Sequence, residues 1–302
     1  MKILAWNCRG LGNAAIVRQL KELIRKSNLE VLILSEVRLK EEKCFCLMRK
    51  LQFPGICYVP PMGTGGGLAL CWRLGVDCNI QNADKNLITG IISSDPLDRP
   101  WMVMGIYGPP SYGDKEDFWK NLGEIVDQCN LPMLLMGDLN GTLKDGECLN
   151  YVKASSTTRY SFDLRRMVHR TGLIDLGYTG VKYTWFKHNM DPLVGVSLKR
   201  ARLDRALAST DWRIVWPNAI VTHLTATSSD HNPILLDSSG GKYCTKPQFK
   251  YEMMWERDPR VFWVVKQAWN ELSHEHPMVK LYRKSSIQRL LLPNGIRYTL
   301  GG

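Results

Sequence analysis

Apolar runs of strand length alternate with amphipathic helical patterns through residues 1–237. Short apolar runs are typical of buried strands, whereas apolar positions three or four residues apart predict helices. The alternation therefore predicts an α/β domain built from layers of sheet and helix. The predicted strands are 2–6, 31–34, 68–72, 101–107, 133–136, 218–224 and 234–236, and the predicted helices are one that carries Ile16, Leu20, Leu23 and Ile24 and three others over 41–51, 115–128 and 159–170.

Two further segments are interpreted from their turn chemistry and polarity. The glycine-rich residues 63–67 lack the Lys-Ser/Thr pair of a phosphate-binding loop and precede a strand, so they predict a tight hairpin turn rather than a nucleotide site. Residues 183–186 and 203–208 predict the arms of a second hairpin, and 187–200 predict a polar loop between them. That loop could probe a nucleic-acid groove, and a solvated loop is an equally good interpretation.

The character of the chain changes after residue 237. Residues 237–242 have a linker composition, and a Trp-rich stretch over 260–272 predicts a short helix. We therefore expect a main domain over 1–237 and a basic, partly helical tail over 238–302. The net charge is +11, and the tail carries 11 Lys/Arg against 5 Asp/Glu while the main domain carries 29 against 24. This excess favours a polyanionic partner such as nucleic acid but does not identify one.

Cysteine spacing and hydropathy indicate where in the cell the protein is expected. The nine cysteines show no Cys-x-x-Cys spacing, which is typical of a reduced intracellular protein rather than a disulfide framework or a zinc ribbon. The N-terminal apolar run is too short for a secretory signal, and every apolar run is too short to span a membrane. We expect an intracellular protein without a membrane partner, and the sequence leaves its oligomeric state open.

Three predicted strands end in polar side chains that suit metal and phosphate chemistry. Asn7 and Glu36 follow the first two strands, and Asp138 and Asn140 follow the strand over 133–136. Strand ends are where ligands usually lie in layered α/β domains, so these side chains could converge on one crevice. Carboxylate and amide oxygens are ligands preferred by Mg²⁺ and Mn²⁺. Each residue taken alone is also ordinary turn chemistry.

A carboxylate stands beside an imidazole in the turn Ser229-Asp230-His231, between two predicted strands. Asp204 lies within a strand pattern and could orient His231, because a carboxylate on one ring nitrogen fixes the tautomer and raises the basicity of the other. Two alternatives stay open at this point. The turn residues could serve backbone geometry alone, and Asp204 could form a salt bridge with a neighbouring arginine.

Seven motifs together resemble the endonuclease/exonuclease/phosphatase superfamily in content and order over nearly all of residues 1–237. The residues within these motifs are most similar to those of the apurinic-endonuclease-like endonuclease domain of plant LINE-type non-LTR retrotransposons. This resemblance implies a four-layer α/β sandwich, with two packed mixed sheets flanked by helices, and metal-dependent cleavage of phosphodiester bonds in DNA. The motifs are Trp6-Asn7-Cys8-Arg9-Gly10-Leu11, Ser35-Glu36-Val37-Arg38-Leu39, Ile106-Tyr107-Gly108-Pro109, Gly137-Asp138-Leu139-Asn140, Tyr183-Thr184-Trp185, Arg202-Leu203-Asp204-Arg205 and Ser229-Asp230-His231-Asn232-Pro233.

The resemblance also implies roles for single residues. Glu36 would hold Mg²⁺, or Mn²⁺, with Asn7 and Asp230 nearby, and no other small-molecule cofactor is expected. Asp138, helped by Asn140, would position or deprotonate the attacking water. Asp204 would orient His231, and Tyr107 would contact the phosphate. The remaining substrate contacts would be Ser229, Trp185 and Arg9.

One departure separates this sequence from repair-type apurinic endonucleases, which commonly carry a carboxylate at the position of Arg9. An arginine cannot ligate a metal, so the resemblance favours a nicking endonuclease that relies on Glu36 and acts in the nucleus. The tail would then lead towards a reverse transcriptase domain, and the chain is interpreted as truncated before it. The alternatives are a phosphatase or repair nuclease of the same superfamily and a decayed retroelement fragment that binds nucleic acid without cutting it.

Overall fold

The computed structural model describes residues 1–61, 66–150, 160–191 and 195–240, together with Lys266. The chain divides into two units, Met1–Lys242 and Tyr243–Gly302, and every strand and helix named below belongs to the first. The predicted helix over 260–272 lies outside the described residues except for Lys266, which is helical. The predicted tail over 238–302 therefore stays a prediction.

Two large mixed sheets and one small sheet hold the strands. The first large sheet has the order β11-β15-β16-β1-β2-β4-β3, the second has the order β10-β14-β8-β7-β6-β5, and the small sheet has the order β12-β13-β9. The strands are β1 (Lys2–Asn7), β2 (Val31–Ser35), β3 (Gly55–Val59), β4 (Leu68–Trp72), β5 (Cys78–Ala83), β6 (Leu87–Ile92), β7 (Trp101–Tyr107), β8 (Met133–Asp138), β9 (Cys148–Leu149), β10 (Ile174–Asp175), β11 (Thr179–Gly180), β12 (Trp185–Asp191), β13 (Gly195–Ala201), β14 (Asp204–Ala208), β15 (Ile220–His223) and β16 (Ile234–Asp237).

The described part of the chain forms five α-helices, and strand alternation explains the layering. Successive side chains of a strand point to opposite faces, so Ile3 and Ala5 of β1 pack between the two sheets while Leu4 and Trp6 pack outward. The helices are α1 (Ala14–Ser27), α2 (Glu41–Lys50), α3 (Lys115–Gln128), α4 (Phe162–Thr171) and α5 (Thr210–Val215).

The apolar residues separate into three clusters that define four layers. The central cluster joins the facing sides of the two sheets, for example Ile33 and Leu70 with Val103 and Met136. A second cluster packs α1 and α2 on the first sheet, and a third packs α3 and α4 on the second. The predicted four-layer α/β sandwich is confirmed.

Most predicted elements are confirmed, several to within one residue, such as the strand over 101–107 and the helices over 41–51 and 115–128. The pattern does not predict β3, β5 or β6. Strands β3 and β5 lie at sheet edges, and β5 is largely exposed, so its sequence has no sustained apolar run. Of the glycine-rich 63–67 segment, residues 63–65 lie outside the described part of the chain, and the flanking β3 and β4 pair antiparallel.

The prediction of a hairpin with arms 183–186 and 203–208 is wrong. The hairpin is formed by β12 and β13, whose pairing runs from Trp185↔Ala201 to Asp191↔Gly195, and so the supposed polar loop is made of its two strands. Strand β14 pairs instead with β8 and β10 in the second large sheet. The hairpin lies outside the two-sheet core, which explains why its sequence is polar.

A buried ionic network connects β14 to β10 and to the turn before β9. Arg202 contacts Asp175 at 2.7 Å and Glu147 at 3.1 Å, and Arg205 contacts the same two carboxylates at 2.9 Å each. The Arg205 side chain is fully buried. Burial alone would raise the pKa of both carboxyl groups, but Arg205 and backbone N–H groups hold the pKa of Glu147 below its ordinary value, and Arg202 with Arg205 does the same for Asp175.

Among the described residues, no helix has the length and apolarity needed to cross a membrane.

We predict that Arg205→Met lowers the free energy of unfolding by about 3–5 kcal/mol, because it leaves buried carboxylates short of a partner. Arg170→Met is the matched control, since Arg170 pairs with Asp127 at the surface and such pairs contribute about 0–1 kcal/mol. Urea unfolding followed by circular dichroism measures both changes. Equal effects of the two substitutions would contradict the structural role of the network.

Candidate active site

The sheet topology brings the polar strand ends to one edge of the sandwich. Strands β1 and β2 are parallel, as are β7 and β8, so each pair ends side by side, with Asn7 opposite Ser35 and Tyr107 opposite Asp138. Strand β14 runs antiparallel to β8 and begins at this edge, which places Asp204 opposite Asp138. His231 precedes β16, which is antiparallel to β1 and therefore begins at the same edge.

Asn7 joins the carboxylates of the two sheets. Its Nδ2 donates to Glu36 Oε1 at 3.0 Å and to Asp138 Oδ2 at 2.9 Å. The Tyr107 hydroxyl donates to the same Glu36 oxygen at 3.2 Å. Burial opposes ionisation of Glu36, but the amide of Asn7 and two nearby arginines hold its pKa below the usual value. Burial and the two carboxylates raise the pKa of Tyr107, so its hydroxyl stays protonated.

The backbone around Glu36 is in the left-handed region, with φ of 53°. Gly66 packs closely against this residue, because a Cβ on Gly66 would lie 2.7 Å from Glu36 Cα. The carbonyl of Gly66 also accepts from the Arg38 N–H at 2.8 Å. Gly66 thus has a packing role beside the site that only glycine can fill.

His231 and Asp204 form a buried pair. His231 Nδ1 donates to Asp204 Oδ2 at 2.9 Å, and His231 Nε2 lies 3.7 Å from Asp138 Oδ2. Burial disfavours the imidazolium, but the charges of Asp204 and Asp138 outweigh it and raise the pKa of His231 to about 9. Burial raises the pKa of Asp204 to about 6 despite the attraction of His231. At neutral pH the pair is therefore carboxylate and imidazolium.

This arrangement decides between the two interpretations of Asp204. The neighbouring arginines, Arg202 and Arg205, pair with Glu147 and Asp175, and Asp204 pairs with His231. Strand alternation explains the separation, because Asp204 and Arg205 are successive residues of β14 and point to opposite faces.

Two residues without a predicted role hold the histidine pair in place. The Thr184 hydroxyl accepts from the N–H groups of Leu203 and Asp204, each at 3.0 Å. Trp6 Nε1 donates to the His231 carbonyl at 2.9 Å. Both residues lie inside the sequence motifs, and this position is the signal that points to them. Their contacts depend on the strand register, which the sequence does not give.

The turn after β8 orients Asp138. The Asn140 N–H donates to Asp138 Oδ1 at 2.9 Å, and Asn140 Nδ2 donates to the Gly108 carbonyl at 2.8 Å. Gly137 has a φ of 150°, and a Cβ there would lie 2.0 Å from the Ile106 carbonyl oxygen. The turn therefore requires glycine directly before the carboxylate.

The remaining predicted residues lie at the rim or behind it. Arg9 Nε lies 2.8 Å from Asp230 Oδ1 and 3.7 Å from Glu36 Oε1, so Arg9 stands between the two carboxylates that were predicted as metal neighbours. Trp185 Nε1 donates to Asp230 Oδ2 at 3.1 Å. Ser229 Oγ donates to the Asn7 carbonyl at 2.9 Å. The structure brings Glu36 and Asn7 together and separates Asp230 from them.

Many of the residues described above line one cleft of about 510 Å³. Its lining combines charged, amide and aromatic side chains, and it includes Arg9, Glu36, Arg38, Tyr107, Asp138, Asn140, Trp185 and His231. Asp138, Asp204 and His231 each offer a ligand atom, and these atoms lie within 4.8 Å of one another, although His231 would have to lose its proton before it could hold a metal ion there. The oxygen-rich set around Glu36 and Asp138 suits a hard divalent cation.

A family profile matches the part of the chain that carries this cleft. A profile described as the Endonuclease/Exonuclease/phosphatase family matches residues 4–231. The chain belongs to this family. Endonuclease/exonuclease/phosphatase proteins are hydrolases that act on phosphodiester bonds and typically use divalent metals. A comparison with curated proteins gave no match.

Solved structures of the endonuclease/exonuclease/phosphatase fold resemble the chain at low sequence identity. The AP endonuclease LMAP from Leishmania major has a TM-score of 0.58 and 17% identity, over 78% of this chain and 86% of that one. A 3′ phosphatase from Neisseria, bound to a product DNA hairpin, has a TM-score of 0.58 and 19% identity, over 78% and 98%. The endonuclease domain of TRAS1, a telomere-specific non-LTR retrotransposon, has a TM-score of 0.54 and 12% identity, over 78% and 97%.

We predict that His231 titrates near pH 9 in chelator-treated protein and that Asp204→Asn lowers this pKa, because a neutral amide no longer offsets the cost of burying the imidazolium. Imidazole ¹⁵N chemical shifts followed through a pH titration measure the change. His223, whose pKa burial lowers to about 4, is the internal control and should not respond. An unchanged His231 midpoint in Asp204→Asn would show that the two side chains are not coupled.

Proposed function

We propose that the protein is a divalent-metal-dependent DNA endonuclease that nicks one strand, of the kind that primes retrotransposition in plant LINE-type elements. The observation that carries the proposal is the floor of the cleft. There the Asp204–His231 pair faces Asp138, and Asn7 connects Asp138 to Glu36. The carboxylates, the imidazole and the bridging amide are all buried, so their geometry is held before a substrate arrives.

Hydrolysis of a phosphodiester needs an aligned oxygen nucleophile, and Asp138 is the residue placed to provide it. Asn140 holds one carboxylate oxygen of Asp138, and the other lies near Asn7 and His231. In the proposed mechanism this carboxylate orients the attacking water and accepts its proton, while Asn140 fixes the carboxylate plane. General base catalysis of this kind contributes about 100- to 10,000-fold to rates.

In the proposed mechanism, charge that develops on the phosphate is stabilised by hydrogen-bond donors beside Asp138. His231 is protonated at neutral pH and presents Nε2–H to a nonbridging oxygen, while Asp204 stabilises the imidazolium. The protonated hydroxyl of Tyr107 donates to the phosphate or to the leaving oxygen. Ser229 and Trp185 support the substrate side of the site through Asn7 and Asp230.

Glu36, with Asn7 beside it, is the proposed holder of Mg²⁺ or Mn²⁺, and such an ion would neutralise charge on the scissile phosphate. The donor set fits this role, because Glu36 is an ionised carboxylate at the cleft floor. Arg9 and Arg38 contact Glu36, and their side chains are 40% and 53% exposed. Both can therefore turn towards solvent or towards a phosphate group.

DNA as the substrate is supported by charge. The chain carries a net charge of +11, and Arg9 and Arg38 place guanidinium groups on the cleft wall. Phosphate contacts of this kind supply affinity and orientation. The likeness to a retrotransposon endonuclease domain and to an AP endonuclease is compatible with this substrate.

We predict that the full chain converts supercoiled plasmid to the relaxed form with Mg²⁺ and that a chelator stops the reaction. Glu36→Gln and His231→Asn should each lower the nicking rate by at least about 100-fold, because they remove the proposed metal ligand and the proposed phosphate donor. Gel separation of plasmid forms over time gives the rates.

The exposed residues Glu42 and His169 give matched controls, so Glu42→Gln and His169→Asn should cut at the wild-type rate. A parallel incubation with a 3′-phosphorylated hairpin separates nicking from phosphatase activity. Phosphate release without plasmid relaxation would replace the endonuclease proposal with the phosphatase alternative.

We predict that Arg38→Ala tightens Mn²⁺ binding by up to about fivefold, because the ion no longer competes with a guanidinium group for Glu36 and partly exposed ion pairs contribute about 0.2–1 kcal/mol. Isothermal titration calorimetry on DNA-free protein measures the affinity. Arg49→Ala, an exposed arginine of α2, is the control. Weaker binding in Arg38→Ala would show that Arg38 supports the metal site instead of competing for it.

A further inference from the structure

Lys115 is a buried lysine to which neither the sequence motifs nor the proposed mechanism gives a role. It is the first residue of α3, and only 1% of it is exposed. A buried ammonium group is costly unless it is well partnered, so its partners indicate what it stabilises. Its Nζ donates to the Asn140 carbonyl at 2.6 Å and lies 4.1 Å from the centroid of the Tyr160 ring.

The Asn140 carbonyl belongs to a turn that has an unfavourable backbone conformation. Asn140 has a φ of 46°, in the left-handed region that non-glycine residues rarely adopt. The turn is nevertheless fixed at three points. The N–H of Asn140 contacts Asp138, its side chain contacts Gly108, and its carbonyl contacts Lys115.

The contact from Lys115 differs from the other two because it comes from a helix. Helix α3 packs on the second sheet through Trp119, Leu122 and Val126, so the lysine stem begins from a rigid position. Tyr160 lines the cleft and its ring lies against the ammonium group, which adds a cation–π interaction. Burial lowers the pKa of Lys115 to about 8 against the raising effect of Asp138, so the group is mainly charged at neutral pH.

We propose that Lys115 is a positioning residue for nicking, which holds the Asn140 carbonyl and thereby keeps the Asp138 carboxylate directed at Asn7 and His231. This inference rests on the proposed function for its effect on rate. Its structural part, the ordering of the turn after β8, does not depend on activity.

The test compares Lys115→Met with Lys120→Met, which changes an exposed lysine of the same helix. Lys115→Met keeps the length of the stem and removes the donor and the charge. We expect kcat for nicking to fall by about 10- to 100-fold, as is typical when a supporting partner of a catalytic group is lost. The Kd for DNA, measured by fluorescence anisotropy without metal, should stay within about twofold of the wild-type value, because Lys115 does not line the cleft.

Lys115→Arg and Lys115→Gln complete the series. Arginine keeps the charge and the reach, so it should restore more of kcat than glutamine, which is shorter and neutral. If circular dichroism shows that Lys115→Met is unfolded, the comparison of the arginine and glutamine variants decides the question. Equal kcat values in these two variants, or a wild-type kcat in folded Lys115→Met, would overturn the proposal.

Hydrogen–deuterium exchange separates this proposal from the endonuclease proposal. Lys115→Met, or Lys115→Gln if the former is unfolded, should speed exchange in the segment 137–142, and Lys120→Met should not. Faster exchange in a protein whose wild type cuts no DNA would leave the positioning role standing while the nicking proposal fails. Wild-type exchange in a variant of an active enzyme would overturn the positioning role alone.

Discussion

The site depends on the need of buried carboxylates for partners. Glu36 follows β2 of one sheet directly and Asp138 ends β8 of the other, and both are removed from water. One amide nitrogen, that of Asn7, donates to both. Because unpaired buried charges are costly, this shared donor, the His231 imidazolium and the surrounding arginines make the approach of the two sheet edges possible. The packing of the sandwich and the chemistry of the cleft therefore depend on the same contacts.

The same principle organises β14. Its successive residues Asp204 and Arg205 face two separate polar clusters, one that contains His231 and one that contains Glu147 and Asp175. Alternation keeps the arginines away from Asp204, which leaves that carboxylate for the imidazole. The salt-bridge network thus supports the site indirectly, because it pairs the arginines with Glu147 and Asp175 while Asp204 pairs with His231.

The sequence predicts the parts of the fold that apolar periodicity describes. Strand β7 packs on both faces and helix α3 packs along one, and their bounds follow from the apolar pattern. The hairpin of β12 and β13 lies outside the core, and its polar sequence therefore predicts a loop where the structure has two strands. Motif order identified Asn7, Glu36, Asp138, Asp204 and His231, which the structure brings together. The positions of Arg9, between Glu36 and Asp230, and of Lys115, beneath Asn140, depend on three-dimensional packing and have no periodic signal.

Gly66 has a consequence for how the cleft can vary. A single added methyl group there would collide with the backbone of Glu36, whereas the same change at Gly113 or Gly146 would meet open space. Gly66 therefore sets how closely the chain that enters β4 can approach the main chain of Glu36. A residue with no functional group of its own thus determines part of the shape of the cleft.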